Sequence, residues 1–313
     1  MPVPAHTVRG GETTMNDLDR LRVEHEARQR AGAPHRATPY SEVVNRYLNA
    51  FSYVDPYVPA PTPPPDPAAK PPPAGRVIVG ADELPTAHLA VDLAAIEAGL
   101  RGTPLRIVHA GSSPRTRPAL DRLAERVRRF APEVAVSTRV TAGMGPAEML
   151  LAEATADDLI VVGHRHGAAR GSLRRSVADQ VAARHTGPVL VVRAPGWPTG
   201  PESPARPLVV GVNGTAAATR AAEFAVEEAR VRGCDVVLLH AVGEPSEVPD
   251  WTDRRGGVSV RNHTVIGDPV TELVAASEHA AAIVVGRDAG RQRLGSVNRA
   301  VLHRAHCPIF LVG

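Results

Sequence analysis

The chain contains 313 residues, a length that suits two domains of about 150 residues each. Because 43% of the residues are hydrophobic but only 3% are aromatic, the cores are expected to consist mainly of Val, Leu, Ile and Ala. Its 36 basic and 33 acidic residues leave a formal net charge of +3, and this near balance argues against a nucleic-acid-binding protein. Two cysteines without metal-ligand spacing, and no apolar run near the roughly 18 residues of a membrane-spanning helix, predict a cytoplasmic protein with no membrane partner.

Residues 1–75 form an extension that we expect to be mostly disordered, with short helical parts. Its residues 60–74 are rich in Pro and Ala and predict a stiff, extended linker. Residues 41–57 instead include a short helix capped by Ser41, whose apolar face consists of Val43, Val44, Tyr47, Leu48 and Phe51. Because a helix of about 11 residues is marginal alone, segment 41–57 is predicted to dock on a protein partner or on the rest of the chain, with disorder as the alternative.

The chain after residue 75 repeats itself. Residues 77–82, Val-Ile-Val-Gly-Ala-Asp, match residues 208–213, Leu-Val-Val-Gly-Val-Asn, and a helical stretch follows each run. Three spacings are equal in the two halves: 29 residues from this glycine to a His-Ala pair, 17 from a helix-opening proline to the end of a Val-Val-Gly run, and 12 from a Ser-Val pair to a final proline. The residues that mark these spacings are Gly80, His109, Pro146, Gly163, Ser176 and Pro188, and then Gly211, His240, Pro269, Gly286, Ser296 and Pro308.

Each half is predicted to alternate five strands with four helices. The strands are short and almost entirely apolar, which is typical of a parallel sheet buried between two layers of helices. Right-handed crossovers then give a doubly wound domain. Unequal spacings between the halves, such as 37 against 29 residues from the histidine to the helix-opening proline, fall in predicted loops. We therefore expect an α/β chain of two tandem doubly wound domains, residues 76–194 and 206–313.

This series of motifs resembles the universal stress protein family: an apolar strand ending in Asp, a Gly-x-Pro helix start, a Val-Val-Gly strand end and a Gly-Ser-Val helix start. The tail of residues 303–308, His-Arg-Ala-His-Cys-Pro, is similar to that family as well. The resemblance implies a five-stranded parallel sheet in the order 3-2-1-4-5 in each domain. It also implies an adenine nucleotide such as ATP as ligand, as in one branch of the family, and pairing through the final strand, in an intramolecular pseudo-dimer or a homodimer.

In such a sheet the strand order reverses between the first and fourth strands, and ligands bind at the C-terminal ends of these two strands. The resemblance places the phosphates on a loop of the form Gly-x2-Gly-x9-Gly-Ser/Thr that leads into a helix N-terminus. In the first half, Asp82 matches the acid that contacts nucleotide in binding members of the family. His166 and Arg175 stand where the pattern has glycine, although Gly167 lies nearby. The first-half candidates for ligand binding are Asp82, Gly163, Gly167 and Ser176.

The second half departs from the same pattern at other places. Its loop is four residues shorter than the pattern, Asp288 brings negative charge, and Asn213 replaces the acid, but the Gly-Ser pair at the helix start is kept. The second-half candidates are Asn213, Gly286, Gly290, Gly295, Ser296 and Val297. The retained acid and the longer loop favour the first half as the nucleotide site. The alternative is that these glycines only form turns and helix starts.

No sequence motif points to catalysis or to a metal site. The chain lacks a P-loop, a nucleophile elbow and a His-Glu-x2-His motif. His164 and His166 are interpreted as ordinary loop residues, and His303 as a residue at a helix C-terminus, where imidazolium interacts well with the dipole. The strand-end residues His109 and His240 are expected to find backbone partners. No catalytic residue and no metal ligand are therefore assigned.

The expected function is that of a non-enzymatic stress-response or regulatory protein that binds an adenine nucleotide as a ligand. One alternative is an interaction module that has lost nucleotide binding and acts through segment 41–57. Another is a weak ATP hydrolase, which would need a positioned base or a metal ion that the sequence does not supply.

Overall fold

The computed structural model describes residues 40, 43, 75–82, 87–111, 113–164, 176–193, 206–244, 250–288 and 293–313. We refer to residues 75–193 as the first unit and to residues 206–313 as the second unit. The described elements of the first unit are β1 (Val77–Gly80), α1 (Ala87–Arg101), β2 (Leu105–Ala110), α2 (Thr116–Phe130), β3 (Val136–Thr141), α3 (Pro146–Glu153), β4 (Leu159–His164), α4 (Val177–Arg184) and β5 (Val189–Arg193).

The second unit repeats this order with one insertion. Its elements are β6 (Leu208–Gly211), α5 (Ala216–Arg232), β7 (Val236–Val242), β8 (Trp251–Arg255), β9 (Val258–Ile266), α6 (Pro269–Ala276), β10 (Ala282–Gly286), α7 (Ser296–Arg304) and β11 (Ile309–Val312). Both helix-opening prolines of the repeat, Pro146 and Pro269, begin helices as expected.

The sheet of the first unit has the order β3-β2-β1-β4-β5, and all of its neighbouring strands are parallel. This confirms the expected order 3-2-1-4-5. The second unit has the same order, β9-β7-β6-β10-β11, but carries β8 as a sixth strand, antiparallel to β9. The expectation of five strands was therefore incomplete for the second unit. Strand β8 is charged and lacks an apolar run, yet the Gly256-Gly257 turn, with φ of 56° and 89°, is a typical hairpin signal.

The two units share one sheet of eleven strands. Strands β5 and β11 pair antiparallel, with Val189 opposite Leu311 and Val191 opposite Ile309. The pairing expected through the final strand thus occurs within the chain, between its two units. Helices α1, α2 and α5 cover one face of this sheet, and α3, α4, α6 and α7 cover the other. Each face has one apolar core that runs through both units.

The first of these cores contains a cluster of four charged residues where α1 meets α5. We call Glu97, Arg101, Glu228 and Arg232 the charge cluster. Each helix contributes a Glu-x3-Arg pair, and the ion pairs also cross between the units, Arg101 with Glu228 and Arg232 with Glu97. The exposed fraction of the side chain is 0% for Glu97, 1% for Glu228 and 5% for Arg232. Charges this far from water persist only when every one of them is paired.

The N-terminal extension contacts the tandem units at the two positions that the structure describes. Tyr40 and Val43 are helical, and both pack against the core that surrounds the charge cluster. Tyr40 is 5% exposed, and its ring centroid lies 4.9 Å from the guanidinium carbon of Arg232, a cation–π distance. Burial raises the pKa of the Tyr40 hydroxyl to about 12. Segment 41–57 was expected to dock either on a protein partner or on the rest of the chain. Its residue Val43 packs on the rest of the chain. The segment's other residues lie outside the described ones.

Within the described ranges, no helix combines the length and the apolar character that crossing a bilayer would require.

The charge cluster yields a stability prediction with a control in the same helix. Replacing Arg232 by Ala leaves two buried carboxylates short of a partner, so we expect the free energy of unfolding to fall by about 3–5 kcal/mol. Arg230 forms an exposed ion pair with Glu227 at 2.5 Å, and Arg230→Ala should change the same quantity by no more than about 0.5 kcal/mol. Urea denaturation followed by circular dichroism measures both variants. A similar loss of unfolding free energy in the Arg232→Ala and Arg230→Ala variants would contradict the importance assigned to the charge cluster.

Candidate functional site

A cavity of about 230 Å³ lies at the C-terminal ends of β6 and β10, where the strand order of the second unit reverses. We call it the second-unit cavity. It brings together five of the six candidates expected in this half; the sixth, Gly290, lies outside the described residues. The described residues that line it are Ala182, Ala183, Asn213, Thr215, Ala217, Gly286, Arg287, Asp288, Arg293, Leu294, Gly295, Ser296, Val297 and Asn298.

Gly286, at the end of β10, is a glycine because of packing inside the protein. A Cβ atom at this position would overlap the carbonyl oxygen of Ala217 at the start of α5. The carbonyl oxygen of Gly286 also accepts a hydrogen bond of 2.8 Å from the side-chain amide of Asn298. The end of β10 is therefore fixed against the first turns of both α5 and α7. All three segments line the cavity.

The N-terminus of α7 is open. Gly295 is its capping residue, no side chain among the described residues hydrogen-bonds to the cap, and the first turn contains no acidic residue. A Cβ atom on Gly295 would have no atom within 4 Å, so the protein's own packing does not require glycine there. The first N–H groups of a helix have no partner within the helix, and together with the positive end of the helix dipole they favour an anion.

Two arginines of the cavity have different roles. Arg287 is 5% exposed and donates a hydrogen bond of 2.7 Å to the carbonyl oxygen of Gly187 in the first unit. Burial lowers the pKa of Arg287 to about 10. Arg293 is exposed and stands before α7, where its charge is available to a ligand. The carboxylate of Asp288, which is also exposed, brings negative charge to the cavity, as the sequence indicated.

Asn213 stands at the position equivalent to Asp82, so it gives the second-unit cavity an amide in place of a carboxylate. Its side-chain oxygen accepts hydrogen bonds from the backbone N–H and the hydroxyl of Thr215, at 3.3 and 2.7 Å. The Thr215 hydroxyl oxygen in turn caps α5 by accepting from the N–H of Ala218. Because the oxygen of Asn213 holds the turn, what remains for a ligand is the donor side of the amide, whereas an ionised Asp82 only accepts.

In the first unit, the structure describes Asp82, Gly163 and Ser176 but not Gly167. Asp82 follows β1 and is half-buried, and Gly163 lies exposed near the end of β4. Ser176 caps α4: its hydroxyl accepts from the N–H of Asp179 at 3.0 Å and donates to the Asp179 carboxylate at 2.7 Å. The N-terminus of α4 is thus satisfied by the protein and carries an acid, in contrast to that of α7.

Two histidines, His109 and His303, lie where the sequence interpretation expected them, but His164 is the last residue of β4 and not a loop residue, and His166 lies outside the described residues. The Nδ1 atom of His109 is 2.8 Å from the carbonyl oxygen of Ala81, which confirms a backbone partner. His303 lies in the last turn of α7, and its ring contacts that of His164 at a centroid distance of 5.0 Å. Among the residues that the structure describes, no three His, Cys, Asp or Glu side chains are grouped as metal ligands would be.

Sequence reasoning missed the residues that reach the second-unit cavity from the other unit. Ala182 and Ala183 belong to α4 of the first unit, yet they form part of the cavity wall. The only signal in the sequence was the expected pairing of the final strands, since that pairing brings the last helix of one unit toward the other.

Comparisons with known proteins agree with this architecture. The profile of the universal stress protein family matches residues 74–193, 204–250 and 250–313. A universal stress protein of Mycobacterium tuberculosis is 27% identical over 302 residues, covering 75% of this chain and 94% of the relative. A second one from that organism is 28% identical over 287 residues, covering 75% and 95%.

Among solved structures, a universal stress protein from Archaeoglobus fulgidus DSM 4304 has a TM-score of 0.57 at 17% identity, covering 75% of this chain and 95% of that chain. A protein from Pseudomonas aeruginosa UCBPP-PA14 has a TM-score of 0.52 at 15% identity, covering 76% and 93%. At these identities the likeness shows a common fold.

The equivalent glycines at the ends of β4 and β10 should respond differently to a methyl group. Gly286→Ala places Cβ against the backbone of α5, so we expect the free energy of unfolding to fall by about 1–3 kcal/mol. A Cβ on Gly163 would come no closer than 3.9 Å to the Cβ atom of Ala90, and Gly163→Ala should leave stability within about 0.5 kcal/mol of the wild type. Thermal and urea unfolding measure both. Equal tolerance at the two positions would contradict the packing described for β10.

Proposed function

The chain belongs to the universal stress protein family, and we propose that it is a non-enzymatic regulatory protein that binds an adenine nucleotide as a ligand in the second-unit cavity. The observation that carries this proposal is the open N-terminus of α7 inside a cavity at the point where the strand order reverses. Ligands of doubly wound sheets bind at that point, and phosphate groups favour helix N-termini.

Several features support a phosphate group beside Gly295. The absence of a side chain there lets an oxygen approach the backbone N–H groups, and the exposed guanidinium of Arg293 adds positive charge. The corresponding helix start in the first unit is occupied by the Ser176 hydroxyl and the Asp179 carboxylate. An anion would therefore have to displace internal hydrogen bonds in the first unit, whereas no described side chain caps the equivalent helix of the second unit.

The lining of the second-unit cavity supports a ligand rather than a substrate. Asp288 is its one carboxylate among the described residues, it is exposed, and no His or Cys side chain accompanies it there. General-base catalysis requires a base held within hydrogen-bond reach of the reacting proton. We therefore expect purified protein to bind nucleotide without releasing inorganic phosphate from ATP over hours.

The binding test compares ATP, ADP and AMP by isothermal titration and by thermal unfolding. A ligand selective for the folded state, present at 100 times its Kd, should stabilise the protein by about 2.7 kcal/mol. Gly295→Val fills the space beside the α7 N–H groups and should weaken nucleotide binding at least about tenfold, without loss of the unliganded protein's cooperative unfolding transition.

Gly243→Val is the matched control for this test. Gly243 follows β7 at the same edge of the sheet, a Cβ atom there would also meet nothing within 4 Å, and the residue does not line the cavity. Its replacement should leave the nucleotide Kd unchanged. Wild-type protein that shows neither heat of binding nor stabilisation at millimolar nucleotide would overturn the proposed ligand.

A further inference from the structure

Arg287 follows β10 directly and is one of the residues that line the second-unit cavity. It is 5% exposed, and its Nη2 atom donates the hydrogen bond of 2.7 Å to the carbonyl oxygen of Gly187 in the first unit. Its Nε atom is buried as well and has no hydrogen-bond partner among the described residues. A residue of the cavity wall thus keeps an unused, charged donor.

The carbonyl group that holds Arg287 is itself fixed. Gly187 lies in the connection from α4 to β5, and a Cβ atom there would overlap the carbonyl oxygen of Ala156. The backbone at Gly187 is therefore packed against the connection between α3 and β4. Because this acceptor cannot move freely, its hydrogen bond positions the guanidinium of Arg287 before any ligand arrives, which lowers the entropy cost of binding.

The positive charge of Arg287 is buried without an acidic partner among the described residues. Burial lowers the pKa of Arg287 to about 10, and no neighbouring carboxylate offsets this effect. Arg232 in the charge cluster is the opposite case: burial again acts to lower its pKa, but Glu97 and Glu228 hold that pKa above the ordinary value. A buried cation without an anion costs free energy, so Arg287 is prepared to accept a negative charge.

The rest of the cavity lining also favours an anion. Arg293 and the N-terminus of α7 add positive charge, and among the described residues of the lining Asp288 is the one carboxylate. The four residues between Asp288 and Arg293 are Ala-Gly-Arg-Gln, so this loop contributes no further acid. Positive charge therefore predominates where Arg287 lies.

Resting on the proposed function, we propose that Arg287 binds a phosphate group of the ligand in the second-unit cavity. The phosphate supplies the negative charge that the buried guanidinium lacks, and a guanidinium can donate to phosphate oxygens through two N–H groups at once. Because the same side chain is bonded to Gly187, it connects the bound phosphate to the first unit. The ligand class is a phosphorylated compound, and inorganic pyrophosphate is its simplest probe.

The competing interpretation is that Arg287 only ties the two units together, and Arg193 provides the comparison. Arg193 is 4% exposed, burial likewise lowers its pKa, and its Nη1 atom donates to the carbonyl oxygen of Leu302 in the second unit. It does not line the second-unit cavity. The two arginines share burial and a hydrogen bond between the units, but they differ in access to the cavity. Equal substitutions at both positions therefore separate the two interpretations.

The decisive variant is Arg287→Met, which removes the charge and keeps an unbranched side chain. We expect the Kd for pyrophosphate and for ATP, measured by isothermal titration, to rise at least about tenfold, because a charge-assisted hydrogen bond is lost. Arg193→Met should leave both Kd values unchanged. Wild-type affinity for pyrophosphate in a folded Arg287→Met variant would overturn the inference, and so would an equal loss in the two variants.

Arg287→Lys keeps the positive charge but replaces the planar guanidinium by a single ammonium group, and it serves as the test if Arg287→Met does not fold. We expect pyrophosphate to bind several-fold more weakly than to the wild type, with a smaller loss than in Arg287→Met. Arg193→Lys should bind pyrophosphate like the wild type. Equal affinities of Arg287→Lys and Arg193→Lys would overturn the inference.

Pyrophosphate also separates this inference from the proposed function. If ATP binds with a Kd that Arg287→Met does not change, the role of Arg287 is wrong and the proposed function stands. If pyrophosphate binds through Arg287 but no adenine nucleotide binds, the role of Arg287 stands and the proposed nucleotide is wrong. Wild-type protein that binds neither compound at millimolar concentration would overturn both.

Discussion

Three residue pairs between β5 and β11 set the relation of the two units to each other: Val189 with Leu311, Leu190 with Phe310, and Val191 with Ile309. All of these side chains are buried, so the junction lies inside the core rather than at an exposed edge. An edge strand left unpaired would present free N–H and C=O groups for association with other chains. Pairing within the chain removes both edges at once. It also fixes which helices meet across the junction: α1 with α5 on one face, and α4 with α7 on the other.

Where α1 meets α5, the junction contains charge rather than additional apolar contacts. Glu97, Arg101, Glu228 and Arg232 satisfy one another both within each helix and between the units. Such a buried network contributes little net stability compared with apolar side chains of the same volume, but any displacement that breaks it leaves charges unpaired. The network therefore favours one relative position of the two units. The ring of Tyr40 packs on Arg232, so the N-terminal extension contacts the same network.

The fold was predicted well because the equal spacings of 29, 17 and 12 residues in the two halves indicate the same order of strands and helices in each. Strand β8 was missed because its residues Trp251–Arg255 carry charge instead of an apolar pattern. The charge cluster had a detectable signal, a Glu-x3-Arg pair at the same register of both repeats. The candidate site was harder to predict. Glycine patterns and the retained acid favoured the first unit, which stays a prediction, and these patterns contain no information on the Ser176–Asp179 cap or on side chains that reach the second-unit cavity from the first unit.

Covalent duplication allows the two copies of the unit to differ in sequence. In a homodimer the residue at the position of Ala183 is identical in both subunits, so both sites would have the same lining. In a tandem chain the two copies change independently, and three equivalent positions near the sites now differ: Asp82 and Asn213, Asp179 and Arg299, and Ala183 and His303. The first two changes remove negative charge or add positive charge in the second unit, and in the third the small side chain, that of Ala183, lines the second-unit cavity. Because Ala182 and Ala183 of the first unit form part of the wall of the second-unit cavity, a ligand bound there would contact both units and would stabilise their association.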